Sequence, residues 1–130
     1  MILGLDISSS CIGFCVLKED GTLIELNHIN LKSYKNIFNK SDFTNFQLQK
    51  IFSTYKIKKI IIESPLKKFM VGKSSAKVIA LLCGFNSIIS FLVYKISNIY
   101  PEYIEASTAR KLSGLKIKKN GIKAKEQVIV

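Results

Sequence analysis

The chain has 130 residues and a mass of 14.6 kDa, which fits one domain with its own core and excludes two-lobed kinases and ATPases of several hundred residues. Its formal net charge is +11, so a polyanionic partner is expected, nucleic acid first. Residues 1–64 hold 8 basic and 6 acidic side chains, and residues 65–130 hold 12 and 3, so the second half is expected to face the polyanion. A hydrophobic content of 48% excludes a disordered basic tail.

Cysteine and histidine usage indicates neither a disulfide framework nor a zinc site. Cys11, Cys15 and Cys83 form no C-x-x-C pair, and His28 is the only histidine. Met1 runs directly into an aliphatic segment, without the basic region and small-residue cleavage site of a secretory signal. We therefore expect an intracellular protein, either cellular or a viral protein inside its host cell.

Three short strands are predicted at the start of the chain, over residues 2–8, 12–18 and 23–29. Serine-rich and Asp-Gly turn sequences join them, which favours an antiparallel meander. A helix is predicted over residues 33–55, with Ser41 or Thr44 as possible caps.

The aliphatic residues 58–63, which end in an acid before Pro65, are typical of a buried parallel strand. An apolar helix over 74–97, a strand over 101–106, a capped helical turn over 107–111 and an incomplete helix over 124–130 follow. The order βββαβαβα predicts an α/β fold, with a five-stranded mixed sheet flanked by helices.

The uncharged run of 17 residues at positions 78–94 has two interpretations, a transmembrane span or a buried helix. The buried helix is favoured because the rest of the chain is typical of a soluble α/β domain and because the run contains small and polar residues, namely Cys83, Gly84, Asn86, Ser87 and Ser90. No membrane partner is expected.

Two acids lie at strand ends, Asp6 in the first strand and Glu63 in the fourth. Either one alone is explained as a carboxylate that accepts hydrogen bonds from turn amides, for Asp6 those of residues 8–10. Together, on adjacent strands, they are within reach of one divalent cation. Paired carboxylates that hold Mg²⁺, with Mn²⁺ as a possible substitute, are the usual apparatus of phosphodiester hydrolysis.

The motifs around these acids resemble those of a known family. Residues 2–6 followed by 13–17 are similar to the opening strand pair, with its catalytic Asp, of the RuvC-type Holliday junction resolvases of the RNase H-like superfamily. Residues 60–63 resemble the strand that ends in the family's catalytic Glu. Further matches, in the family's order, are Phe69-Met70, Ser75-Ala76 with Gly84, and residues 124–128.

The resemblance implies one RNase H-like domain over residues 1–130 that cleaves four-way or other branched DNA as a homodimer and leaves 5′-phosphates. It implies that Asp6 and Glu63 are catalytic metal ligands, and the apolar second helix is our expected dimer interface. Residues expected to bind DNA are Lys67, Lys68, Phe69, Lys73, Arg110 and Lys125. Each lysine alone is equally explained by a solvated surface.

The sequence departs from the family at four places. The spacing from Glu63 to Phe69 is longer than usual, and Arg110 lies about where the family has a catalytic-site lysine. Ile7-Ser8 stand where the family commonly has Pro-Gly, and the 130 residues stop before the family's last acidic helix. Two-metal catalysis then lacks ligands, so a fragment or a shortened relative is expected. Two alternatives stay open: a non-catalytic protein that binds branched DNA, and a fragment of an actin-like or sugar-kinase-like ATPase, whose phosphate loop residues 4–10 also resemble.

Overall fold

Aliphatic segments separated by short turns form a five-stranded sheet in the computed structural model, which describes residues 1–65 and 75–105. The elements are β1 (Ile2–Ile7), β2 (Cys11–Leu17), β3 (Leu23–Asn30), α1 (Ile37–Thr54), β4 (Lys59–Glu63), α2 (Ala76–Ser97) and β5 (Glu102–Ile104). The predicted order is confirmed through β5. The helical turn predicted at 107–111 and the helix predicted at 124–130 lie outside the described residues.

The strand order is β3-β2-β1-β4-β5. β1 to β3 form the predicted antiparallel meander, whereas β4 pairs in parallel with β1 and with β5. The sheet is therefore mixed, as the sequence predicted. Because β1, β4 and β5 run in the same direction, their carboxyl ends lie at one edge of the sheet.

Alternation along the strands separates a core face from an outer face. Leu3, Leu5 and Ile7 of β1 are buried, and so are the facing residues of β2 and β4. They form one cluster with Leu48 of α1 and Ile89 of α2, so both helices cover the same face of the sheet. The residues between them in β1, which include Asp6, point to the outer face.

α1 begins later than the sequence predicted, and its cap is a different residue. The side chain of Asn36 accepts a hydrogen bond from the Asn39 amide at 2.8 Å. Ser41 and Thr44 are not caps: they lie inside the helix, where their hydroxyls donate to the carbonyls four residues earlier. This internal bonding is the alternative use of Ser and Thr hydroxyls in helices.

α2 begins after Ser75, whose side chain caps the Val78 amide, and it matches the predicted helix closely. Its burial is confined to one face, since Phe85, Ile89 and Val93 are buried while Val78 and other apolar residues are exposed. A helix that lies on one side of a sheet buries only the stripe that meets the sheet. Among the described residues, α2 is also long enough and apolar enough to cross a membrane, by length and composition alone.

Candidate active site

The two acids singled out in the sequence lie side by side. Leu5 of β1 pairs with Ile62 of β4 in the parallel register, so the next residues, Asp6 and Glu63, are neighbours. Because Leu5 and Ile62 are buried on the core face, alternation places Asp6 and Glu63 together on the outer face. Both are half-buried. Their role as metal ligands stays a prediction.

The row that contains these acids continues across the meander. Gly13 of β2 pairs with Asp6, and His28 of β3 pairs with Gly13. We call the line His28, Gly13, Asp6 and Glu63 the site row. Since Gly13 has no side chain, no side chain of the described strands stands between His28 and Asp6 in this row. From the sequence alone, no role was assigned to His28, because only the strand register brings it into line with Asp6.

The end of β4 is held in place by both of its neighbours in the fold. The buried Asn86 side chain of α2 donates to the Glu63 carbonyl at 3.4 Å, and the Ser64 amide donates to the Ile104 carbonyl of β5 at 2.7 Å. These contacts fix the backbone from which the Glu63 carboxylate projects. The sequence marks Asn86 only as a polar residue within an apolar helix, so its positioning role was missed.

Gly4, two residues before Asp6 in β1, is closely packed against β2. Gly4 is paired with Cys15 of β2, and a Cβ added to Gly4 would lie 2.9 Å from the Cys15 Sγ. Burial raises the pKa of the Cys15 thiol, and a backbone hydrogen bond from Gly4 opposes this in part. The thiol therefore stays protonated at neutral pH, which makes it a packing group and not a thiolate ligand.

The chemistry of the acid pair suits one hard cation. Mg²⁺ is commonly bound through one or two carboxylates, and water and substrate phosphate complete its coordination. Asp6 and Glu63 fit that requirement. Within residues 1–65 and 75–105, no group of three or more His, Cys, Asp or Glu side chains lies close enough to hold an ion. The part of the chain that the structure describes thus places two carboxylates side by side at this edge.

The residues expected to bind DNA all lie outside the described residues: Lys67, Lys68, Phe69, Lys73, Arg110 and Lys125. Both undescribed segments nevertheless begin shortly after the ends of β4 and β5. They therefore start at the edge of the sheet where the carboxyl ends of the parallel strands lie, which we call the carboxylate edge. Segments 66–74 and 106–130 together contain 10 basic residues and 1 acidic residue, against 10 and 8 in the described residues. Most of the excess positive charge therefore belongs to segments that begin at this edge of the sheet.

A shallow cavity of about 430 Å³ lies at the opposite end of the sheet, where the parallel strands begin. It is lined by residues 52–57 of the α1 terminus and following loop, and by Ile96 and Ser97 of α2. Asp6 and Glu63 do not line it. The candidate acids therefore lie outside this cavity, toward the other end of the parallel strands.

Comparison with known proteins places this geometry in a structural class. No protein-family model and no curated protein matches the sequence. A Thermus thermophilus RuvC structure in complex with a Holliday junction substrate aligns with a TM-score of 0.68 at 6% identity, over 85% of this chain and 67% of that one. The chain has the RuvC fold. A second Thermus thermophilus RuvC structure aligns with a TM-score of 0.59 at 12% identity, over 97% of this chain and 74% of that one.

At these identities the likeness to RuvC extends to the fold and not to its activity. It agrees with the five-stranded mixed sheet and with the RNase H-like class predicted from the motifs. Asp6 and Glu63 therefore stand at adjacent strand ends of a RuvC-type sheet.

Proposed function

We propose that this protein is a metal-dependent endonuclease of the RuvC type that hydrolyses phosphodiester bonds in branched DNA, four-way junctions first. The observation that carries the proposal is the pair formed by Asp6 and Glu63, which lie side by side near the carboxyl ends of adjacent parallel strands. Strand carboxyl ends are where ligands bind in open α/β sheets. The RuvC fold and the basic segments that begin at the same edge support this reading.

In this proposal Asp6 and Glu63 would hold Mg²⁺, which would supply charge neutralisation at the phosphate and a bound water of lowered pKa. The contribution of the protein is to hold the two acids in position. Asn86 and β5 fix the Glu63 backbone, and pairing with β2 and β4 fixes Asp6. Mn²⁺, which has the same preference for oxygen ligands, is expected to substitute.

DNA binding is assigned to the basic segments that start at the carboxylate edge. Lys67, Lys68, Lys73, Arg110 and Lys125 would neutralise backbone phosphates, and this predicts an affinity that falls steeply with salt. Phe69, which lies between lysines in the sequence, would stack on unpaired bases at the centre of the junction.

A homodimer is part of the proposal because a four-way junction presents two strands related by a two-fold axis. The exposed face of α2 carries Val78, Leu81 and Phe91, which are 51%, 56% and 59% exposed. Gly84 lies between them, and a Cβ added there would meet no atom within 4 Å in the described structure. Small residues at such a position let two helices approach closely.

The nuclease proposal is tested with a labelled four-way junction and a linear duplex of the same sequence, each in Mg²⁺, Mn²⁺ and EDTA. We expect metal-dependent nicks on the junction alone, reduced to background in Asp6→Asn and in Glu63→Gln. Glu102→Gln is the matched control. Glu102 is an exposed carboxylate of the same sheet that pairs with Lys59 at 3.4 Å, and its removal should leave cleavage intact.

The dimer is tested by sedimentation velocity on the full chain. Leu81→Arg should convert the dimer to monomer. Leu26→Arg introduces the same charge at a similarly exposed leucine of β3 and should not change the oligomeric state. A wild-type monomer at all concentrations, free and on the junction, would contradict the dimer and leave the nuclease assay to stand alone.

A second candidate function is a non-catalytic protein that binds branched DNA. It is favoured by one observation, that the described residues provide two clustered acids and no third ligand. Retardation of the junction over the duplex, without nicks in either metal at protein excess, would select this function.

A further inference from the structure

Gly13 is unexplained by the fold itself. A glycine in the interior of a strand costs about 0.5–1 kcal/mol relative to alanine, so one is usually retained for a turn, a bulge or a close approach. Gly13 is not in the left-handed region, unlike Gly21 with φ +91°. A Cβ added to Gly13 would lie 3.9 Å from the Asp6 Cβ, which is ordinary contact, so packing within residues 1–65 and 75–105 does not exclude a methyl group either.

The contrast with Gly4 sharpens this point. At Gly4 an added Cβ would lie 2.9 Å from the Cys15 Sγ, so the fold accounts for that glycine. At Gly13 the described residues leave room for a Cβ. Close approach of a ligand or of another backbone is the remaining reason for a glycine within a strand, and, its chain neighbours aside, no backbone of the described residues comes within 4 Å of a Cβ added at Gly13.

His28 stands at the far side of the space above Gly13. It pairs with Gly13 on β3, and its side chain is exposed on the outer face. Two strand spacings, about 10 Å, separate its backbone from that of Asp6. An imidazole at this position can donate a hydrogen bond across the glycine, whatever its protonation state.

We propose that Gly13 is the floor of a phosphate subsite, bounded on one side by the carboxylates and on the other by His28, which donates a hydrogen bond to a DNA phosphate seated there. The inference rests on the nuclease proposal and deepens it, because it names the surface on which the DNA backbone lies. A phosphate in this place would be held from two sides: through the cation at Asp6 and Glu63, and through the imidazole N–H.

The experiment compares His28→Ala, His28→Asn, Gly13→Ala and Gly13→Val in the full chain. Asn30→Ala is the control, because Asn30 is also an exposed β3 residue but pairs with Cys11, outside the site row. Cleavage of the four-way junction gives kcat and KM. Anisotropy in EDTA gives junction affinity without cleavage, and thermal melting confirms folding.

Loss of a hydrogen bond to a charged group predicts a fall in kcat/KM of roughly ten- to hundredfold for His28→Ala. His28→Asn, which keeps a donor, should recover part of it. Gly13→Val should match His28→Ala because its branched side chain fills the subsite, whereas Gly13→Ala should lose less. Asn30→Ala should behave as wild type.

The outcomes separate the two proposals. If the wild type cleaves and His28→Ala has unchanged kcat, KM and affinity, the subsite is wrong and the nuclease stands. If the wild type does not cleave in either metal, the nuclease is wrong, and the affinity measurement decides the subsite. A weaker junction affinity of His28→Ala and Gly13→Val than of Asn30→Ala then supports it, and equal affinities overturn it.

Discussion

Gly4→Ala tests the close approach of β1 to β2 next to the candidate site. The added Cβ would lie 2.9 Å from the Cys15 Sγ, whereas ordinary contact begins at 3.4 Å, so the two atoms must separate by at least 0.5 Å. Cys15 is half-buried and has a short side chain, so part of this separation falls on the strands themselves.

The magnitude follows from two opposing terms. Overpacking costs about 1–3 kcal/mol, and replacement of a strand glycine by alanine returns about 0.5–1 kcal/mol. Gly4→Ala should therefore lower the free energy of unfolding by up to about 2.5 kcal/mol. In a Cys15→Ala background the clashing sulfur is absent. The same substitution should then stabilise the protein by about 0.5–1 kcal/mol.

The assay is urea unfolding, followed by circular dichroism, of the wild type, the two single variants and the double variant. Unchanged m-values would show that only stability differs. The coupling energy should be about 1–3 kcal/mol, with a change of sign between the backgrounds. An equal effect of Gly4→Ala in both backgrounds would refute the close approach. Since Asp6 lies two residues further along β1, junction cleavage should fall in Gly4→Ala and recover in the double variant.

Three further predictions concern hydrogen bonds. Asn86→Leu removes the donor to the Glu63 carbonyl and should cost about 1 kcal/mol in urea unfolding while lowering junction cleavage. Asn36→Ala removes the α1 cap and should cost about 1 kcal/mol in the same measurement. Tyr55 donates to Glu25 at 2.5 Å, which raises the pKa of the phenol above its ordinary value. The stability that this bond adds is full below about pH 10 and is lost as pH rises through the raised pKa.

Each of these has a result that would contradict it. Cleavage by Asn86→Leu equal to that of the wild type would show that Glu63 is positioned without this contact. A larger loss in Ser41→Ala than in Asn36→Ala would restore Ser41 as the cap. For Tyr55, ultraviolet titration should show one tyrosine whose pKa falls in Glu25→Gln. Identical titration curves of the wild type and Glu25→Gln would contradict the hydrogen bond between Tyr55 and Glu25.

The sequence predicts the meeting of Asp6 and Glu63 because strand type and direction suffice for it. A run of aliphatic residues that ends in an acid indicates a buried parallel strand, and the carboxyl ends of parallel strands share an edge. The position of His28 relative to Asp6 cannot be predicted from strand type and direction alone. Its place opposite Gly13 depends on the β2–β3 register, which shifts between Val16 and Leu17, and a one-residue slip would turn His28 to the other face.

The helices show a similar division. The existence of α1 and α2 follows from their length and apolar pattern. The α1 cap does not, because Asn36, Ser41 and Thr44 are all acceptable cap residues and only the backbone shows which of them precedes the first turn. The contact from Asn86 to Glu63 joins two distant segments, and the periodicity of a single helix carries no information about it.

The strand order also determines when the site can exist. β1, β2 and β3 pair with strands that are adjacent in the sequence. The pair of Asp6 and Glu63, in contrast, joins residues that are 57 positions apart. Contacts between such distant residues form late, because the intervening chain must be ordered first. A nascent chain from which β4 has not yet emerged contains Asp6 without Glu63, its neighbour on the sheet. The proposed cleavage site therefore forms only after the first 63 residues have been synthesised, since both acids are needed for it.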